Sequence, residues 1–207
     1  PRQVFEINRA VSAGVNTIFF VSPWSTDVSR QGTAQGLPVE GLNPTVSDLL
    51  KKWGIELRDE VLASNDAGRV EVLTSFQGMR VQIPRELPFC VLATQEGLDQ
   101  GSAITNRIGH IIFPTTPGLK ISGDVLKKNG LESQVLAKSS KESWSVKVNP
   151  FERLQDPFQK QKGMGWSIAQ YQKELAQPKN PDEFRDFIDP TPLAVLIHGK
   201  FPFTFEG

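Results

Sequence analysis

The side chains best able to do chemistry here are one cysteine, two histidines and a group of serines. Cys90 sits in the run PFCVLAT. A nucleophile elbow needs small residues around a sharp turn, whereas Cys90 is embedded in an apolar stretch that reads as strand. It is expected to be a buried structural thiol. His110 (IGHIIF) and His198 (VLIHGK) would make a catalytic or metal pair only if the fold brought them together. No HxH, HxxxH or HExxH spacing supports that, and no acidic residue lies within three positions of either. Each is expected on a strand face or end, with His198, beside Gly199, retained as a ligand-contact candidate. Ser139, Ser140 and Ser143 lack a GxSxG frame and read as a turn between strands. No catalytic residue, metal site or cofactor is assigned.

The remaining candidate is a loop. Residues 22–41 (SPWSTDVSRQGTAQGLPVEG) are rich in Gly, Ser and Pro. Neither GxGxxG nor GxxxxGK[ST] is present, so the loop is no phosphate cradle and a nucleotide-binding reading fails. Asp27, Arg30 and Glu40 offer polar groups, and Trp24 offers a ring for stacking on a sugar or a peptide. Long loops within a compact domain are functional or disordered. This one follows an apparent strand end, where open α/β sheets bind ligands. Trp24, Asp27, Arg30, Glu40 and His198 are therefore the expected contact residues.

These residues must be held by the surrounding elements. The clearest scaffold is 44–62, PTVSDLLKKWGIELRDEVL. Thr45 is a suitable N-cap with Asp48 three positions on. Val46, Leu49, Leu50 and Trp53 recur on one helical face. Lys51 and Lys52 suit the helix C-terminus, and Gly54 is placed to end it. Ile55 and Leu57 then alternate with Glu56 and Arg58, as in a half-buried strand. Upstream, residues 3–13 carry Val4, Ile7 and Val11 at helical spacing, closed by Gly14. The apolar run 16–21 (NTIFFV) reads as a parallel strand covered on both faces. From Arg69 the pattern shifts to short strands at 70–76, 79–83 and 89–94, with a turn at Gln77-Gly78. Pro84 and Pro88 bracket an expected polar connector. Further strands are expected at 108–113, 132–139, 143–148 and 193–198, with a short one at 119–121 and a short helix at 166–176.

The chain has 207 residues, enough for one large domain with a proper core. Its 23 basic residues balance 23 acidic ones, so nothing favours nucleic acid or an anionic membrane as partner. A single cysteine excludes an intrachain disulfide. No apolar run approaches the length of a transmembrane helix. Pro1 in place of Met, with a helical pattern beginning at once, leads us to expect a piece of a longer protein.

Several motifs then fall in one order: a helix and glycine before an apolar strand ending in Ser22-Pro23, LLKKWGI at 49–55, IGHIIFP at 108–114, VLAKSSKESW at 135–144, and TPLAVLIHGKF at 191–201. In these the chain resembles the extracytoplasmic domain of ABC-transporter auxiliary proteins of the gliding-motility (GldG-like) type. The resemblance covers nearly the whole chain. It implies a periplasmic domain anchored to the inner membrane by helices outside this sequence, working beside permease and ATPase subunits. It also implies kinship with the class I glutamine amidotransferase-like fold and with a domain of intraflagellar-transport proteins. It supplies no catalytic residues. The family often ends its first strand in Asp-Pro, whereas Ser22 stands here, so a ligand role for that Asp would be lost.

The expectation is a single α/β domain over 1–207: a mostly parallel sheet flanked by helices (amidotransferase-like or flavodoxin-like), with a β-rich extension over 69–148. The expected function is non-catalytic binding of a partner protein or a glycan in an ABC-type transport system. The alternative is a hydrolase or amidotransferase-like enzyme acting on a small molecule or saccharide. That reading needs a nucleophile and a base converging in a pocket.

Overall fold

The computed structural model describes residues 2–26, 39–41, 46–76, 79–147 and 187–205. Helix α1 (Arg2–Ser12) forms where the sequence predicts it, burying Val4, Asn8 and Val11. Helix α2 (Val46–Lys52) buries Leu49 and Leu50, with Asp48 in its first turn and Lys51 and Lys52 in its last. Thr45, its expected N-cap, lies outside the described residues. Gly54 ends this element at φ 96°, a left-handed conformation that costs glycine nothing sterically. A Cβ there would stand 3.0 Å from the Leu126 side chain and 3.1 Å from the Ser122 carbonyl, so the site needs glycine for space as well.

The chain then enters β3 (Ile55–Ser64), which has neighbours on both edges. Its first half pairs with β7 (Pro117–Ile121), setting Ile55 opposite Ile121 and Leu57 opposite Leu119. Its second half pairs with β9 (Ser143–Lys147), setting Leu62 opposite Ser145 and Ser64 opposite Ser143. The expected alternation holds for the first half. From Val61 to Ser64 consecutive residues are all buried, which requires cover on both faces.

A second three-stranded sheet runs β4 (Ala67–Phe76), β5 (Met79–Thr94), β6 (His110–Pro114). The connector expected between Pro84 and Pro88 is absent, because β5 runs straight through both prolines. Two features make this tolerable. Pro84 pairs across from Glu71 of β4, in a part of β5 that β6 does not reach, so its missing N–H falls where one edge is free. Pro88 falls in the register break between Ala67↔Val91 and Gly68↔Leu87, a bulge that needs no regular donor. The predicted Gln77-Gly78 turn lies outside the described residues, though Phe76 and Met79 pair on either side of it.

Two small sheets complete the described architecture. Strand β8 (Leu131–Lys138), reached through the short helix α3 (Gly123–Lys128), pairs with β10 (Pro192–Gly199). Strands β1 (Trp24–Thr26) and β2 (Val39–Gly41) form a ribbon at the base of the long loop. The predicted helix at 166–176 falls outside the described residues.

The expected mostly parallel, amidotransferase-like or flavodoxin-like sheet is not what forms. Every pairing among the described strands is antiparallel. The run 16–21 joins no sheet. Strand β10 does not return to it, and pairs with β8 instead. The residues over 69–148 are not an extension of a parallel sheet but contribute most of the described strands. The physical reason is connection length. Parallel strands need crossovers of a dozen residues or more. Here β3 reaches β4 through Asn65 and Asp66 alone, and β8 reaches β9 through four residues of turn. Helices α2 and α3 are too short to serve as crossovers.

Two clusters make up most of the core. One gathers Val4, Val11, Leu49, Leu50, Trp53, Ile55, Leu126 and Leu131, with Phe19, Val21, Val195, Ile197 and Phe201 packed against it. Trp53 is its centre, 1% exposed, with edge-on ring contacts to Phe201 at 4.9 Å and Phe19 at 6.1 Å. The other joins Leu62, Val91, Ala93, Leu98, Ala137 and Leu193. The tail after β10 folds back on α1. The fully buried Asn8 donates from Nδ2 to the Pro202 carbonyl (3.3 Å) and accepts at Oδ1 from the Thr204 N–H (2.9 Å). Phe5 of α1 meets Phe203 and Phe205 at 5.4 and 5.6 Å.

Candidate functional site

Cys90 lies inside β5, opposite Pro114 of β6, with none of its surface exposed. Burial pushes its thiol up to about 11. A thiol held protonated within a strand has neither the access nor the thiolate character of a nucleophile. Leu87 and Ile112 pack with it.

The histidines are not brought together. His110 opens β6 opposite Thr94, while His198 is near the end of β10, in another sheet, opposite Glu132. Its Nε2 lies 3.6 Å from a Glu132 carboxylate oxygen. Glu132 was not visible as a partner in the sequence because it is distant along the chain, and only the β8–β10 register pairs the two. Both side chains are exposed, so the pair contributes little to stability. Among the described residues, no three of His, Cys, Asp and Glu are grouped to hold a metal ion.

The serines do converge, though for packing. Residues 139–142 form the turn between β8 and β9. Ser64 Oγ, at the end of β3, lies 3.1 Å from Ser140 Oγ and accepts from the Asp66 N–H (3.1 Å). Ser140 Oγ accepts from the Glu142 N–H (3.2 Å). Ser139 accepts at Oγ from the Thr191 N–H (3.0 Å), while its own N–H donates to the Thr191 carbonyl (2.9 Å). These hydroxyls take up the main-chain groups that the turn leaves unpaired. Among the described residues no histidine or carboxylate is hydrogen-bonded to any of them. The sequence cue for this role was the run of Ser between two apolar strands.

The loop candidates are placed only in part. The β1–β2 ribbon sets Trp24 opposite Gly41 and Ser25 opposite Glu40, so Trp24 and Glu40 are held at the closed end of the loop. Asp27 and Arg30 lie outside the described residues. His198 belongs to the β8–β10 sheet. None of the described helices is long and apolar enough to cross a membrane.

What the described residues offer, then, is a buried thiol, hydroxyls tied to main chain, separated histidines and a ribbon-closed loop. No curated protein and no solved structure matches the chain. A family profile matches the whole of residues 1–207, and the chain accordingly belongs to the auxiliary-component family described as "ABC-type uncharacterized transport system".

Proposed function

We propose that this auxiliary component is a non-catalytic binding or scaffolding domain that works outside the inner membrane, beside the permease and ATPase subunits of its transport system, and takes a partner protein as its ligand. The observation that carries this reading is the family match across all of residues 1–207. The state of the reactive groups supports it: the one thiol is sealed in a strand, and the clustered serines are engaged with the backbone. The resemblance to the gliding-motility (GldG-like) type supports the periplasmic placement and anchoring by membrane helices. The contact surface assigned to Trp24, Asp27, Arg30, Glu40 and His198 belongs to this proposal. A glycan ligand is the lesser variant, resting on the ring of Trp24 alone.

The test is affinity purification of the tagged protein from detergent-solubilised membranes, combined with protease treatment of spheroplasts. Recovery of permease and ATPase subunits in fixed ratio, with the domain digested from the outside, is expected. A domain that is protected in spheroplasts, or purifies without transporter subunits, overturns the reading. A Cys90→Ala variant that folds normally but abolishes transport would overturn the non-catalytic part alone.

A further inference from the structure

Residues 15–21 follow α1 as a strand that has no strand beside it. Burial alternates along them as in an extended chain. Phe19 and Val21 pack on the Trp53 core, while Ile18 and Phe20 are 81% and 95% exposed. At such exposure the main chain is in water as well. Helix α1 ends with the Val15 N–H donating to the Ala10 carbonyl (3.1 Å). Beyond it, no described residue hydrogen-bonds the main-chain groups of 16–21. Free strand edges are normally blunted by charges, proline or a bulge. Here residues 10–26 carry no charged side chain, and the first proline is Pro23. The run is β-branched and aromatic, the composition that pairs most readily.

We infer that residues 16–21 are a site of β-strand addition, at which an uncharged extended segment of a partner protein pairs with the main chain while its flanking residues cover Ile18 and Phe20. The unpaired N–H and C=O groups select this occupant. A lipid surface would leave them unsatisfied, and a helix has no main-chain groups to spare for them. Only a strand satisfies them and presents side chains at the matching period. A second copy fits less well. Opposite residues in an antiparallel pair share a face, so self-pairing centred on Phe19 would put Ile18 and Phe20 of both copies on one uncovered face, doubling the apolar patch. The absence of charge across 10–26 complements a neutral strand and gives no attraction to an acidic or basic one. This inference rests on the partner-binding reading above and gives it a location and a mode.

The test uses the 207-residue chain and a synthetic peptide of alternating threonine and valine with lysine at both ends. Amide hydrogen exchange is read residue by residue. Without peptide, amides 17–21 should exchange near the rate of an unstructured chain. With peptide, alternate ones should slow by about tenfold or more. The same peptide with its valines replaced by proline should give no protection, and the Ile18→Lys/Phe20→Lys variant should weaken binding about tenfold while folding normally. Four results overturn the inference: no protection by the peptide, equal protection by the proline peptide, protection already present in the free monomer, or protection that grows with protein concentration alongside a dimer's mass. Transporter subunits that co-purify equally with wild type and the double-lysine variant would sink this inference and leave the auxiliary role standing. Peptide protection without any co-purifying subunit would do the reverse.

Discussion

Residues 16–21 and 193–198 look alike in the sequence. Both are short apolar runs with β-branched residues, and both place side chains on the Trp53 core: Phe19 and Val21 from the first, Val195 and Ile197 from the second. Their fates differ. The second lies within β10 and pairs along β8 from Lys138 to Leu131. The first pairs with nothing described. The difference does not lie in hydrophobicity. It lies in what each run is tied to. β10 is led into register by Thr191, which exchanges hydrogen bonds with Ser139 directly after β8. Residues 16–21 come off a helix end and meet no strand whose polar groups are waiting. Burying one face suffices to dock a segment. A partner for the backbone is needed to make it a strand.

Trp53 is the group both runs depend on, so its removal should have the largest effect. Trp53→Ala takes away the ring that Phe19 and Phe201 pack against, and a loss of about 3–5 kcal/mol is expected for a buried aromatic. Exchange protection should fall both in β10 and in the 201–205 tail. Trp53→Phe should cost much less, because the buried indole N–H has no hydrogen-bond partner and deleting it leaves nothing unsatisfied. Urea titration of the two variants decides this, and equal costs would show that the indole nitrogen is engaged after all.

The lead-in to β10 can be broken by itself. A Cβ on Gly118 would lie 2.3 Å from Thr191 Cγ2, with Leu62 and Arg58 closing the other sides. Gly118→Ala should therefore destabilise by about 1–3 kcal/mol through overpacking. The cost should show as lost protection in β10 and not in 16–21. Thr191→Ser removes the clashing methyl and keeps the hydroxyl, so the double variant should recover much of the loss. Additive losses in that cycle would place the strain elsewhere.

A smaller effect comes from pH. The folded state holds the Cys90 thiol protonated up to about 11 through burial, whereas in the unfolded chain it ionises in the ordinary thiol range. Its contribution is whole below the unfolded value and is lost as pH rises through the folded one. Stability should thus decline between roughly pH 9 and 11, and Cys90→Ala should decline less steeply over that window. Identical slopes by urea unfolding at stepped pH would mean that the thiol is hydrated.

Much of this was legible beforehand. The helices at 3–13 and 46–52, the glycine stop at Gly54, the strands beginning at Ile55 and Leu193, the buried Cys90 and the Ser139–Ser143 turn all follow from local periodicity or from one residue's chemistry. Strand direction was not legible, because an apolar run reads the same whether its neighbour is parallel or antiparallel. Only the short connections, at Asn65-Asp66 above all, carried that information. The prolines at 84 and 88 misled because their tolerance depends on a free edge and a bulge, both properties of the neighbouring strand. The pairing of His198 with Glu132 was invisible for the same reason. Of the contact candidates, sequence alone placed Trp24 and Glu40 on one loop, and the ribbon register brings them to its base.

The smallest effect is the one that most sharpens the comparison. If 16–21 is held only by Phe19 and Val21, its outward side chains contribute nothing to the isolated fold. Ile18→Thr and Phe20→Thr should then change stability by no more than about 0.5 kcal/mol, the range of exposed substitutions. By contrast, Leu193→Ala, at a buried position of β10, should cost about 2–5 kcal/mol. The two threonine variants keep β-propensity, so a loss cannot be blamed on the backbone. They should also reduce self-association at high protein concentration, measured by light scattering, since they dilute an exposed apolar patch without adding charge. A cost near that of Leu193→Ala at Ile18 or Phe20 would mean that both faces of the run are covered in solution. The two runs would then be equivalent strands, and the distinction drawn between a docked segment and a paired one would fall.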